Sequence, residues 1–239
     1  MNPPTPRNRG PAAGAGNPPD RAREILRRLK KLYPERRCEL NWSTPLQLAV
    51  AAILSAQCTD KRVNMVTPEL FRKYRTTADW ARVPQEELEA DIRSTGFFRN
   101  KARNIRALAQ SLLDRHGGEL PGDLDALVGL PGIGRKTANL LVAEIWGRPG
   151  VIVDTHCTRL SRRLGFTRHE DAVKIESDLR ALIPERDWTD WSHCMVFHGR
   201  YCCAARKPAC ERCPLTDVCP YFANQARAAM KSGRRASGA

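Results

Sequence analysis

Leu130-Pro131-Gly132-Ile133-Gly134-Arg135-Lys136-Thr137-Ala138 is the stretch on which the reading of this chain turns. Two glycines flank one apolar residue, and a helical pattern begins at Arg135. Glycines at alternate positions permit positive φ and let a backbone approach a ligand where a Cβ would collide. The helix that follows offers unpaired N–H groups and the positive end of its dipole, which together make an anion site. Leu124–Val128 carries a short helical pattern ahead of the turn and Arg135–Trp146 a longer one behind it, so the stretch reads as helix–hairpin–helix. Gly-Ile-Gly alone also fits a helix–helix turn with no ligand. Lys136 on the first turn and Asp154 beyond the helix add reactive chemistry to it.

Outward from that turn the chain is strongly basic: 40 Lys and Arg against 26 Asp and Glu give +14 over 239 residues. Such a charge points to an acidic polymer as partner, nucleic acid first, with ribosomal or heparin-binding roles as the other readings of composition. The length suffices for one large core or two modest ones. The longest apolar run, 48–54, falls far short of the ~20 residues that cross a bilayer. Residues 1–19 contain no secretory hydrophobic stretch. Neither a membrane span nor export is expected.

Residues 1–19 and 224–239 lack apolar periodicity and are rich in Pro, Gly, Ala, Ser and Arg, which predicts disordered basic tails. Lys231, Arg234 and Arg235 are among the tail charges able to attract phosphates. Between the tails the periodicity is helical. Asp20 is placed to cap a first helix with Ala22, Ile25, Leu26, Leu29 and Leu32 on one face. Thr44-Pro45, a cap followed by proline at the first helical position, launches the apolar run 46–54. Thr67-Pro68 repeats that signature and predicts a new helix carrying Leu70, Phe71 and Tyr74. Further helices are expected from Pro84 to before Gly96, from Asn100 to Gly117-Gly118, and over 155–164, 171–182 and 188–201. No convincing period-two alternation appears. The chain reads as all-α.

Nine cysteines are spread unevenly: Cys38, Cys58, Cys157 and Cys194 stand apart, and the rest crowd between Cys202 and Cys219. Crowding without a signal peptide favours a metal site in a reducing compartment over disulfides. Cys203, Cys210, Cys213 and Cys219 follow C-x6-C-x2-C-x5-C. Four thiolates suit zinc and a four-iron cluster alike, and the spacing matches neither a zinc ribbon nor the ferredoxin run. Cys202 is an alternative ligand to Cys203, and Cys210-x2-Cys213 also admits a redox role. Arg206 and Lys207 lie between the first two ligands, where a pinned backbone would hold them for phosphates or leave them to solvent.

Taken together, the hairpin with Lys136, then Val153-Asp154-Thr155-His156, then the four-cysteine spacing resemble the endonuclease III family of the helix–hairpin–helix DNA glycosylases, over about residues 20–222. The resemblance implies an all-α fold with a six-helix domain, 38–148, holding the hairpin. A second domain, 20–37 plus 149–223, would carry a structural [4Fe-4S] cluster on the four cysteines. By the same resemblance Lys136 is the catalytic lysine and Asp154 the catalytic aspartate. DNA would be met by Leu130, Gly132, Ile133, Gly134 and Arg135 of the hairpin, and by His156, Arg206 and Lys207. Gln57 matches a glutamine that fills the gap left by an extruded nucleotide, and Phe97 falls where the family places an apolar wedge. Val128 stands where some relatives are acidic, and Phe97 is bulkier than the usual wedge; both departures bear on lesion preference.

The implied partner is double-stranded DNA containing oxidised pyrimidines or abasic sites, met by a monomer in the bacterial cytoplasm at the nucleoid. The damaged nucleotide is flipped out at a cost of a few kcal/mol. Lys136 then attacks the sugar C1′, expels the base and forms a Schiff base from which β-elimination nicks the strand. A lysine of ordinary pKa, about 10.4, is almost wholly protonated at neutral pH. The helix N-terminus and Arg135 favour its neutral form, while Asp154 and DNA phosphates favour the ammonium. Asp154 is assigned to the positive charge developing on the sugar, and capping of the helix at Thr155 is compatible with that. His156 reads as a structural residue or phosphate contact. Two other readings compete. An adenine-type monofunctional glycosylase of the same superfamily would lack the lysine and carry a further C-terminal domain. A non-catalytic DNA-binding module would need neither Lys136 nor Asp154.

Overall fold

The computed structural model describes residues 17–225, helical throughout with no strand among them. The tail positions 1–16 and 226–239, with Lys231, Arg234 and Arg235, lie outside the described residues. The helices are α1 (Pro18–Leu32), α2 (Pro45–Leu54), α3 (Asp60–Lys73), α4 (Thr77–Arg82), α5 (Gln85–Asp91) and α6 (Phe98–His116). They continue with α7 (Leu124–Val128), α8 (Arg135–Trp146), α9 (Thr155–Arg163), α10 (Ala172–Leu182) and α11 (Trp188–Tyr201). Residues 220–225 are also helical, so positions 18–19 and 224–225, expected as tail, are ordered helix. Two compact units emerge: 37–152, and 17–36 with 153–225.

In the first unit α2 is the axis. Every residue from Leu48 to Leu54 is buried, because α3, α6 and α8 all pack against this helix. A helix apolar on all sides has to be enclosed in this way. Thr44 starts it by accepting from the Gln47 N–H, with Pro45 preset for the first turn. Trp80 of α4 is buried against Tyr74, with ring centroids 4.8 Å apart, and α4 lies on α6.

Three local expectations are corrected here. Thr67-Pro68 starts no helix: α3 begins at the Thr59 cap, whose hydroxyl accepts from Arg62 N–H at 3.2 Å, and runs through Pro68 to Lys73. Proline removes one donor, and burial of Val63, Thr67 and Leu70 along one face holds the helix across it. A capping box between Thr76 and Asp79 then starts α4, and α6 begins at Phe98 rather than Asn100. Residues 149–152, assigned from sequence to the other domain, belong to this unit; a Cβ at Gly150 would come within 2.9 Å of the Asn139 carbonyl oxygen.

In the second unit α1 packs on α10 and α11, and α9 packs on both of those helices. Asp20 does not cap α1. The helix starts at Pro18 with Asn17 in the cap position, and Asp20 pairs with Arg23 in the first turn at 3.2 Å. Proline at the first helical position presets φ, so α1 starts without a side-chain cap. Ala22, Ile25, Leu26 and Leu29 are buried as the periodicity requires, whereas Leu32 is exposed. Lys30 bridges Asp187 and Asp190, and Arg36 also reaches Asp190, which ties the end of α1 to the start of α11.

Candidate functional site

Asp123 caps α7 by accepting from Ala126 N–H at 2.9 Å. The Leu130 carbonyl then accepts from Ile133 N–H at 3.1 Å, closing a turn with Pro131 and Gly132 at its centre. Proline followed by a residue of positive φ, here +76° at Gly132, is the type II pattern. Leu130 and Ile133 are buried, so their side chains anchor the turn in the core and only their backbone is left for a ligand.

The two glycines serve different ends. A Cβ on Gly132 would stand 2.9 Å from Asn104 Cβ and 3.1 Å from Ile53 Cδ1. Gly134 has an ordinary φ of −84° and open space where a Cβ would go. It occupies the N-cap of α8 and provides no side-chain cap to the first-turn amides. Gly132→Ala is therefore expected to cost about 2–4 kcal/mol, from left-handed strain plus overpacking. Gly134→Ala should cost about 1 kcal/mol or less. Urea denaturation of the two variants checks this, and equal losses would contradict it.

Lys136 is exposed on the first turn of α8, and Arg135 beside it is half-buried. In the same unit Gln57 and Phe97 are exposed and left-handed, with φ of 52° and 48°. Non-glycine residues in that region carry about 1–3 kcal/mol of strain and gather at functional turns. Gly132 packs against Ile53, near the end of α2, and against Asn104 of α6. The hairpin, the Gln57 turn after α2 and the Phe97 turn before α6 thus gather at one end of this unit. Val128, the last residue of α7, is half-exposed.

In the other unit Asp154 is half-buried and caps α9, its Oδ1 accepting from Cys157 N–H at 2.7 Å. Burial, seconded by the Asp154 charge, pushes the Cys157 thiol up to about 12. His156 Nδ1 lies 3.1 Å from the Arg159 guanidinium. A guanidinium only donates, so Nδ1 accepts and the ring proton sits on Nε2. A Cβ at Gly199 would meet His156 Nδ1 at 2.6 Å, so this imidazole is wedged between α9 and α11.

Cys203, Cys210, Cys213 and Cys219 line one cavity with Cys202, walled by Leu160, Leu164, Leu215 and Phe222. Burial pushes the Cys213 thiol up to about 12, and burial followed by neighbouring thiolate charge raises Cys210 and Cys219. Holding several thiolates there calls for positive charge of the kind a polynuclear iron core supplies. A single zinc at about 2.3 Å from each sulfur would draw its ligands to within about 3.8 Å of one another. The ligand atoms that lie within 4.8 Å of one another among the described residues are instead those of His198, Cys202 and Cys213. Only Cys213 of these belongs to the motif. Arg206 and Lys207 are exposed in the loop, and Lys207 is left-handed, φ 50°, directly before Pro208.

The loop is held by arginines that sequence reading left among the general basic charge. Arg159 donates to the Gly199 and Cys203 carbonyls at 3.0 and 3.1 Å. Arg163 donates to Cys203 Sγ at 3.1 Å and to the Ala204 and Ala205 carbonyls at 2.8 and 2.9 Å. Arg28 forks onto Asp217 and also reaches the Pro214 carbonyl, and Arg21 reaches the Val218 carbonyl at 3.5 Å. The available signal was the i, i+4 spacing of Arg159 and Arg163, which puts both on one face of α9.

A helix–hairpin–helix with a lysine on its second helix, in a chain that also carries a thiol-lined loop, defines a base excision DNA repair protein. Residues 50–185 match the HhH-GPD superfamily of base excision DNA repair proteins. Residues 203–219, which begin and end on cysteines of the motif, match the iron-sulfur binding domain of endonuclease III. Endonuclease III of Synechocystis sp. is 51% identical, covering 84% of this chain and 92% of its own, and that of Bacillus subtilis is 47% identical, covering 81% and 89%. Two solved structures, a non-covalent endonuclease III–DNA complex and a trapped endonuclease III–DNA covalent intermediate, match with TM-scores of 0.83 and 0.84. Each is 47% identical and covers 87% of this chain and 98% of its own.

The chain belongs to the endonuclease III family. It is a bifunctional DNA glycosylase and abasic-site lyase carrying a [4Fe-4S] cluster, and the zinc, adenine-type and purely binding readings are set aside. No helix among the described residues is long and apolar enough to cross a membrane.

Proposed function

We propose that this enzyme removes oxidised pyrimidines from duplex DNA and cuts abasic sites, acting as a monomer at the bacterial nucleoid. The observation that carries the reading is an exposed Lys136 on the first turn of a helix whose N-cap, Gly134, offers it no side-chain bond. The neutral Nζ attacks C1′; the C–N bond forms as the glycosidic bond breaks, and the base leaves with the electron pair and takes up the proton the amine sheds. The nitrogen lone pair then expels O4′, which takes a proton, so that the ring opens and C1′=N forms. Loss of a C2′ proton from the resulting Schiff base then breaks the 3′ C–O bond. Asp154, one oxygen of which caps α9, offsets positive charge on the sugar through its carboxylate. Gln57 and Phe97 fill the space left by the flipped nucleotide, and their exposure and left-handed backbone support that role. Backbone amides of the hairpin, Arg135, His156 Nε2–H, Arg206 and Lys207 meet phosphates.

Cys203, Cys210, Cys213 and Cys219 hold the cluster, with Arg163 donating to the sulfur of Cys203. When bound it cross-links the loop and supplies no step of the base chemistry. Arg206→Ala and Lys207→Ala should each lower the salt slope of duplex binding by about one, equally for damaged and undamaged DNA. An unchanged slope would remove them from the interface. The substrate range is tested by borohydride trapping on duplexes carrying oxidised thymine, oxidised cytosine, an abasic site or no lesion. Adducts are expected with the first three; an adduct with the abasic site alone would exclude the glycosylase step on oxidised pyrimidines.

A further inference from the structure

Lys101 lies in α6 and is 3% exposed. Its Nζ donates to two backbone carbonyls, Leu54 O and Thr95 O, each at 2.8 Å. Leu54 is the last residue of α2, where carbonyls have no partner within the helix and the dipole favours a cation. Thr95 ends the short turn that follows α5, and its own hydroxyl bonds back to the Ile92 carbonyl at 2.8 Å. Three residues past Leu54 stands Gln57, and two past Thr95 stands Phe97. These are two of the three non-glycine residues of positive φ among the described residues. The Lys101 backbone N–H also bonds the Phe97 carbonyl at 3.1 Å. Burial works against the ammonium here, and the nearby Cys58 works in its favour.

We propose that Lys101 is a positioning residue, a buried clamp that fixes the Gln57 and Phe97 turns to one point so that both side chains enter the DNA stack together. Left-handed backbone at a non-glycine persists only where its surroundings over-determine it. A buried amine gives up a carbonyl partner only at high cost, so neither turn moves independently of the other. This inference rests on the reading of Gln57 and Phe97 as gap-filling residues.

The test uses the full chain with its cluster loaded and compares two activities. Excision of oxidised thymine from a duplex requires a vacated stack, whereas lyase action on a single-stranded abasic oligonucleotide does not. Lys101→Met should lower the ratio of duplex to single-strand activity roughly a hundredfold, the scale of a small misplacement in a site. Lys101→Gln, which keeps one donor pair, should fall between it and the parent. Gln57→Ala and Phe97→Ala should lower the same ratio, and Gln57→Ala should add less than about twofold on top of Lys101→Met. A 2-aminopurine opposite the lesion, bright when its stack is opened, should brighten less with each variant.

If Gln57→Ala and Phe97→Ala lower the ratio while Lys101→Met lowers both activities equally, the clamp is wrong and the gap-filling reading stands. If Gln57→Ala and Phe97→Ala leave the ratio unchanged, the gap-filling reading fails and takes the clamp with it. Failure of both Lys101 variants to fold would make the residue a general core support and overturn the proposal.

Discussion

Lys136→Ala is expected to abolish the borohydride-trapped adduct and to slow strand cutting at an abasic site on the order of 10⁴-fold or more. On the first turn of α8 the Lys136 amine is the side chain able to form a Schiff base, since its neighbour Arg135 is a guanidinium. The side chain is exposed, so stability should change by less than about 0.5 kcal/mol. Lys136→Arg should be as inactive, since a guanidinium does not lose its proton in a protein. Asp154 allows a cleaner separation of roles. Asp154→Asn keeps an oxygen to accept from Cys157 N–H, so the cap of α9 survives while the charge is lost. Its single-turnover rate should fall about 10²–10³-fold with little change in the urea midpoint. Asp154→Ala loses the cap as well and should cost about 1 kcal/mol further. A trapped adduct from Lys136→Ala, or wild-type turnover by Asp154→Asn, would break the assignment.

Stripping the iron, by oxidation with a chelator, should release the loop between Cys203 and Cys219 and weaken duplex binding roughly 10–100-fold at physiological salt. Lys136 sits in the other compact unit, so saturating DNA should recover much of the lyase rate, and the loss should fall on KM more than on kcat. Limited proteolysis should cut near Arg206 and Lys207 only after iron loss. Arg163→Met removes the bond to Cys203 Sγ and those to the Ala204 and Ala205 carbonyls, and should speed iron loss without altering Lys136. Unchanged proteolysis and affinity in the iron-free protein would show that the loop holds itself.

Much of this was legible because it is local. The hairpin follows from proline and glycine dihedrals, α2 from a threonine cap and a preset proline, and the metal loop from four cysteines within seventeen residues. The misread points are those where a distant partner decides. Thr67-Pro68 looks like a start, yet burial of Val63 and Leu70 carries α3 straight through it. Leu130 and Ile133, expected at the DNA, give their side chains to the core, which leaves the backbone for that role. Lys101, Arg159 and Arg163 count in the sequence only as basic charge and instead hold carbonyls, each of them at least one that lies forty or more residues along the chain.

From sequence alone came the helical class, the hairpin, the thiol set and the amine and carboxylate proposed as nucleophile and partner. Those depend on backbone preferences and side-chain chemistry that act within a few residues. The tertiary structure decided which basic residues meet carbonyls and which stay exposed. It also showed why, of the two hairpin glycines, Gly132 and not Gly134 must be glycine on steric grounds, and how one buried amine joins two turns. Such matters depend on what lies within a few ångströms after packing, and a desolvated donor takes whichever acceptor the fold brings to it.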